Sequence, residues 1–366
     1  MANQLFFILP PRPRDAPLLE GHRKEDVWWE LLDQRDRPIG ALEGVLSGSV
    51  DLNQHTDTRG SGQLEYLGPL AGDDWLDVRV RPWLRISNAS GASMSIPWGV
   101  YLPSVPASVY RDGHTPTVIE LEGKLQLLIE EQYSNGKRVR KGAVVTDQIK
   151  AMLAPAWMGR VVVVDSAERA RSEQWWDPGT SVLEIVNDLL ESIGYRALYT
   201  DRNGVIRAEP RLTPADRRVH FGLRDDGQGV YSPDLTRTHD YSQVPNEYQI
   251  ISTTDGDAPP IVGVARDFTS KFSRANRGRN IVAREENVEV TSQRVADRMA
   301  AQKLADAQRT TATWDLETLK LPLWPGDAVD LVSARHGAET LTTVESMRVD
   351  LTPGTLVGTR LREVQG

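Results

Sequence analysis

Short runs of alternating apolar and polar residues, each closed by glycine, proline, asparagine or aspartate, constrain this chain more than any other feature. In Leu76-Asp77-Val78-Arg79-Val80-Arg81-Pro82-Trp83-Leu84-Arg85-Ile86 the alternation holds over most of the run. A period of two sets one row of side chains against a core and the other in water, the pattern of a half-buried strand. Residues 44–53 repeat it, with Val45, Ser47, Ser49 and Asp51 alternating with Leu46, Gly48, Val50 and Leu52. Residues 27–32, 63–67 and 98–102 add short strands, and Leu5-Phe6-Phe7-Ile8-Leu9, closed by Pro10 and Pro11, is a further candidate. Strands this short and this closely spaced predict a small sandwich or barrel in this region.

The pattern changes beyond residues 118–122, Val-Ile-Glu-Leu-Glu, which end the β region. Residues 124–133 carry Leu125, Leu128 and Ile129 at helical spacing, with a strand as the alternative. Residues 144–153 place Val145, Ile149, Met152 and Leu153 on one helical face, with Thr146 or Asp147 as cap and Pro155 beyond the end. The clearest helix covers 181–193. Ser181 and Glu184 have the capping-box spacing, Val182, Ile185, Val186, Leu189, Leu190 and Ile193 form one stripe, and Gly194 stands where a left-handed residue ends a helix. A hairpin follows, with Asp201-Arg202-Asn203-Gly204 as its turn between residues 195–199 and 205–209. Residues 210–243 are polar and read as a connection with little core of its own. Strands resume at 246–252 and 260–265, a helix is predicted over 292–309 with Thr291 as cap and Val295, Met299, Leu304 and several alanines as its stripe, and strands follow at 313–319, 328–332, 341–349 and 358–364. The fold class is therefore α+β, mainly β, with a β block at each end and an α+β block between them.

Composition removes whole classes of function. The chain has no cysteine, so disulfides, thiolate metal sites and thiol nucleophiles are out. No run of about 18 apolar residues exists, so no transmembrane helix and no stable membrane insertion is expected. The N-terminus has no basic leader or small-residue cleavage site, and a secretory signal is not expected. With 43 Lys and Arg against 51 Asp and Glu, the net charge of -8 argues against a dedicated duplex-DNA binder.

The six histidines, at 22, 55, 114, 220, 239 and 336, are all more than four residues apart, so no helical metal pair exists. Nucleophile-elbow and phosphate-loop patterns are absent, and Asp255-Gly256-Asp257 reads as an acidic turn rather than a calcium loop. No catalytic residue, cofactor or metal is expected, and the chain is not expected to be an enzyme.

Two features point to interfaces instead. Across residues 265–284, Arg266, Lys271, Arg274, Arg277, Arg279 and Arg284 face Asp267 alone, a net +5, with Phe268 and Phe272 interleaved and an acidic patch following at 285–289. Two readings stay open: a loop that docks on an acidic partner or on nucleic acid, and a solvated hairpin balanced by its acidic neighbour. The second feature is the pair Trp175-Trp176, matched by Trp28-Trp29. Aromatic pairs bind glycans or anchor interfaces, and within β blocks they more often fill cores.

The order of these elements resembles the baseplate hub, or tail hub, proteins of tailed phages and the hub portion of contractile injection-system spikes. The resemblance is carried by residues 46–53, by 75–86 leading to 98–102 (a run similar to tail proteins of actinobacterial siphophages), and by the helix and hairpin of 181–209. It continues in 246–251 with 264–267 downstream, and in the helix 292–309 followed by Leu321-Pro322-Leu323-Trp324-Pro325-Gly326-Asp327. It implies two tube-like β-barrel domains flanking an α+β domain: residues 1–120 and 244–366 as barrels, the latter with the long helix, 121–209 between them, and 210–243 as a connection that returns to the first barrel. It further implies a homotrimer in the virion tail tip, assembled in the host bacterial cytoplasm, that joins a six-fold tail tube or distal tail ring to a three-fold tip. The trimer would surround a channel for the tape-measure protein and for DNA in passage, with a separate tip, spike or receptor-binding protein as neighbour. A tail-associated cell-wall hydrolase and a glycan- or receptor-binding tail module are the alternatives. In a trimer the acidic charge would help DNA slide without sticking.

Overall fold

The computed structural model describes residues 22–70, 72–110, 113, 115–212, 219–225, 230–252, 259–288, 292–308 and 312–364. The strand expected at Leu5–Leu9, the turn at Asp255–Asp257 and the cap at Thr291 lie outside the described residues. The chain divides into a larger unit, Met1–Thr236 with Asp315–Val364, and a smaller one, Arg237–Trp314.

A 14-stranded sheet organises the larger unit. Its main path runs Tyr231–Thr238, Thr313–Thr318, Val357–Glu363, Ala338–Asp350, Val45–Asn53, Gly60–Tyr66, Thr117–Gly123, Tyr101–Ser108, Arg79–Asn88, Arg23–Leu32 and Pro38–Ala41. Ser93–Pro97 branches from Arg79–Asn88, while Val219–Arg224 pairs in parallel with Ala328–Ser333, which in turn pairs with Ala338–Asp350. The mainly-β, α+β expectation holds. No closed barrel is found among the described residues, where Ala338–Asp350 pairs with strands from both ends of the chain. Its first half faces Ala328–Ser333, and its second half, from Ser346, faces Ser49–Asn53. The register changes at Glu345, a bulge residue whose buried carboxylate accepts from Arg362 Nε at 2.9 Å and contacts His55 Nε2 at 2.7 Å.

Several local expectations shift. The strand expected from Leu76 begins at Arg79, since Gly72–Leu76 is a 3-10 turn that buries Trp75 edge-on against Tyr66. Residues 98–100 are buried irregular chain, and the strand runs Tyr101–Ser108. The polar stretch expected to be a bare connection holds the two strands Val219–Arg224 and Tyr231–Thr238.

Three helices, Gln126–Glu130, Val145–Met152 and Val182–Ser192, build a separate apolar core with Leu128, Ile149, Met152, Ile185, Val186, Leu189 and Leu190 at its centre. Ser181 caps Val182–Ser192 by accepting from Glu184 N at 3.2 Å, and Gly194 ends it at a φ of 72°. Val145–Met152 has no side-chain cap. Thr146 is instead buried inside it and donates to Ser166 O at 3.2 Å.

The hairpin turn 201–204 fastens this block to the sheet. Gly99 N donates to Arg202 O at 2.9 Å, Arg202 Nη2 to Pro322 O at 2.7 Å, and Trp324 Nε1 to Thr200 O at 3.1 Å. Lys124, with no exposed surface, donates to Gly204 O at 2.7 Å and pairs with Asp36, which also takes Arg79; Arg79 reaches on to Trp157 O. Burial pushes the Lys124 ammonium down and Asp36 opposes that shift. Buried ion pairs of this kind are weak sources of net stability, but breaking one leaves an unpaired buried charge.

In the smaller unit a three-stranded sheet, Val262–Arg266, Glu247–Ser252 and Val282–Val288, carries the helix Gln293–Gln308. The helix buries Ala296, Ala300 and Leu304, the last and the alanines as expected, while Val295 and Met299, also expected in the stripe, are half-buried. Small residues win because the approach is close: a Cβ on Gly263 would lie 2.3 Å from the Ala296 backbone.

Asp36→Asn, which keeps the side-chain size and removes the charge, is expected to destabilise the larger unit by about 3 kcal/mol in urea unfolding. A change within error would show that Lys124 finds another partner. Asp33, whose carboxylate accepts from Arg37 N and Arg35 N in the adjoining turn, is held at about 2 against an ordinary 3.8, chiefly by the backbone hydrogen bond from Arg37. Its folded value lies below the unfolded one. Its contribution to stability is therefore complete above pH 3.8 and is lost as pH falls through about 2. NMR titration of the Asp33 carboxyl should give that low midpoint, and a midpoint near 3.8 would contradict the turn geometry.

Candidate functional site

Two surfaces with opposite charge stand out, one in each unit. The first is a face of the large sheet. Glu122, Ser61, Asp51 and Arg348 are successive cross-strand neighbours, as are Glu120, Gln63, Ser49 and Asp350. Strand pleating turns all of them to one side, and turns Ile119, Leu121, Leu64, Val50, Leu52, Met347 and Val349 into the core. A cavity of about 680 Å³ continues this face over Asp234, Asp315, Glu317 and Arg360. Arg360 Nε bonds Asp315 at 2.7 Å and Arg348 lies 3.9 Å from Asp51. With Glu65 the face carries eight carboxylates and these two guanidiniums, so it stays net acidic. Among the described residues no group of three or more His, Asp or Glu side chains is placed to hold a metal ion, and no helix is long and apolar enough to cross a membrane.

The second surface is the basic stretch, which folds as a knuckle on one buried amide. Asn246 Nδ2 donates to Phe272 O at 3.1 Å and Arg279 O at 2.9 Å, while its Oδ1 accepts from Ile281 N at 2.9 Å. Its backbone bonds Ile281 O and Asp267 N, so one residue, through backbone and side chain together, closes both ends of the 267–281 excursion. At the first turn Asp267 accepts from Thr269 N and Ser270 N at 3.0 Å and from Gln308 Nε2 at 3.0 Å. Ser273 then caps the single turn Arg274–Arg277.

The sequence-selected residues separate by role. Phe272 is buried, with Lys271 Nζ 4.9 Å from its ring and 4.7 Å from that of Tyr241, on which His239 stacks. Arg277 donates to Val244 O at 2.7 Å and Tyr241 O at 2.6 Å. Arg266 Nε bonds Glu247 at 2.8 Å, and that bond, with one from Gln249, holds the Glu247 carboxyl below its usual range. Phe268, 77% exposed, and the exposed Arg274 and Arg279 face water. The Trp pair also splits, because neighbours on a strand point oppositely. Trp176 packs against the helical core and donates to Asp188 at 2.7 Å, whereas Trp175 is 58% exposed. Trp29 is buried, and Trp28 stacks on Trp83 at 5.6 Å. Sequence reasoning missed Asn246, which it placed in a strand. A lone asparagine gives no local sign that its amide will bridge two distant carbonyls.

Comparison with known proteins places this architecture. No protein-family model matches the chain. No curated protein matches it in sequence either. Solved structures do share its fold. A tail protein from Neisseria meningitidis MC58 is 16% identical, with 92% of this chain and 96% of that one covered at a TM-score of 0.63. The 43 kDa tail protein of prophage MuSo2 from Shewanella oneidensis is 12% identical, with 92% and 98% covered and a TM-score of 0.60. A chain of the Francisella PdpA-VgrG complex is 6% identical, with 94% of this chain and 53% of that one covered and a TM-score of 0.58. The fold is thus that of phage tail proteins and of a chain of the PdpA-VgrG complex, in line with the resemblance seen in the sequence.

Asn246→Ala orphans two carbonyls and an N–H and is expected to destabilise the smaller unit by about 2–3 kcal/mol. Hydrogen exchange should show residues 267–281 losing protection before the strand Glu247–Ser252 does. Uniform loss across the unit would place the amide's role in the sheet instead.

Proposed function

We propose that this chain is a structural component of a phage tail tip or baseplate, a homotrimeric hub that joins a six-fold tail tube to a three-fold tip. The reading is carried by the two-faced sheet: strands from both ends of the chain share one apolar core and present one acidic, hydrophilic face. Around a three-fold axis such faces make the wall of a channel, with the carboxylates repelling DNA phosphates and lowering friction for a passing polymer. Each sheet has two halves, one on either side of Ala338–Asp350, and each acts as a tube-like segment. Three copies then offer six such segments to a hexameric tube or distal tail ring. The tape-measure protein and then DNA occupy the channel in turn, and a separate tip, spike or receptor-binding protein closes the far end. The likeness in fold to tail proteins along nearly the whole chain supports this role in the virion over a catalytic one.

The purified chain should have a solution mass of three times 40.8 kDa, and electron microscopy of the particle should show three copies beneath a six-fold ring. A monomer or an even-numbered assembly at the tail tip would sink the hub reading.

A further inference from the structure

A cyclic trimer is built from heterologous contacts, in which one patch of each copy meets a different patch on the next. The knuckle supplies one such patch. From Arg266 to Arg279 it has five basic residues against Asp267, whose carboxylate is taken up inside the turn. The side chains of Arg274 and Arg279 are exposed, and so is the aromatic ring of Phe268 in the same stretch.

The helical block of the larger unit supplies a matching patch. On Val182–Ser192, Glu184, Asp188 and Glu191 fall at i, i+4 and i+7, one exposed face about 10 Å long. Glu131, whose carbonyl accepts from Val182 N at 2.8 Å, extends that acidic face beyond the helix start. Trp176, through its bond to Asp188, fastens to this helix the ribbon that carries the exposed Trp175.

We infer that the basic knuckle of one copy docks on the acidic helix Val182–Ser192 of a second copy, with Phe268 and Trp175 as the apolar anchors of the contact. Charge complementarity names the occupant. The whole chain carries -8, so outside the net-basic knuckle it is more acidic still, and a second copy is an acidic protein. Nucleic acid fits less well. Arg266 is paired with Glu247, and Lys271 and Arg277 are engaged with rings and backbone carbonyls, which leaves two guanidiniums in place of a phosphate-tracking row. Two aromatic residues flanked by opposite charges are the usual anchors of a protein contact.

The inference rests on the proposed self-association, and charge exchange tests the two separately. Sedimentation of the full chain should show assembly that weakens at about 0.5 M salt, where the Debye length falls to roughly 4 Å. Arg274→Glu with Arg279→Glu should weaken assembly at least tenfold, as should Glu131→Arg with Glu191→Arg. Combining all four substitutions in one chain should restore it, because every knuckle then meets a helix of opposite charge again. All four side chains are exposed, and Glu131, which ends the helix Gln126–Glu130, bonds Leu127 O through its backbone N–H, so thermal midpoints should match the parent's. Trimers that persist in every variant would overturn the docking contact and leave the hub reading intact. A parent chain that stays monomeric would overturn both. Binding of labelled single-stranded DNA by the parent, lost in the Arg274→Glu/Arg279→Glu variant, would overturn the protein contact in favour of nucleic acid.

Discussion

The rest of the larger unit depends on one strand, Ala338–Asp350. At 13 residues it is about 44 Å long, and among the described residues no single partner strand spans it. Its backbone groups are satisfied in two instalments, first by Ala328–Ser333 and then by Val45–Asn53, with Val357–Glu363 along the other edge. A single uninterrupted register would force Met347 and Val349 out of the core or Val344 into it from the wrong side, since one step flips every side chain. The bulge at Glu345 absorbs that step. The resulting buried carboxylate is held by Arg362 and His55, so the irregularity is electrostatically complete. Two sheets that would otherwise present edges to solvent become one.

Buried cations do the corresponding work where irregular chain meets the sheet. Lys124 links the hairpin turn at Asp36 to Gly204 O, and Lys320 links Glu25 to Thr352 O at 2.8 Å and Thr355 O at 2.9 Å. Arg202 joins the 201–204 turn to Pro322 O. In all three, burial lowers the pKa and nearby carboxylates oppose it. A long side chain reaches carbonyls that no strand partner can, and so satisfies backbone groups that would otherwise be orphaned. These contacts give the block its fixed seat on the sheet more than they add net stability.

Charge is sorted by surface. Carboxylates occupy the outer face of the sheet and one face of a helix, while guanidiniums concentrate on a knuckle whose own acid is spent internally. Among the described residues like charges are spread along extended faces, and Phe268 and Trp175 are exposed.

The sequence by itself determined which side of the alternating strands 45–53, 79–86 and 118–122 is apolar, the helix Val182–Ser192 with its Ser181 cap and Gly194 stop, and the 201–204 turn. Each depends on residues within one or two turns of the chain, so the information is local. It also determined that Ile119-Glu120-Leu121-Glu122 points its acids away from its core. Only the tertiary structure decided that those acids join Asp51, Asp350 and Asp315 in one face, that strands from both ends of the chain share a single sheet, and that Asn246 closes the knuckle. The physical reason is that every strand offers the same N–H and C=O groups. Which strands meet is settled by the packing of side chains far apart in sequence, as when Asp51 comes to face Arg348.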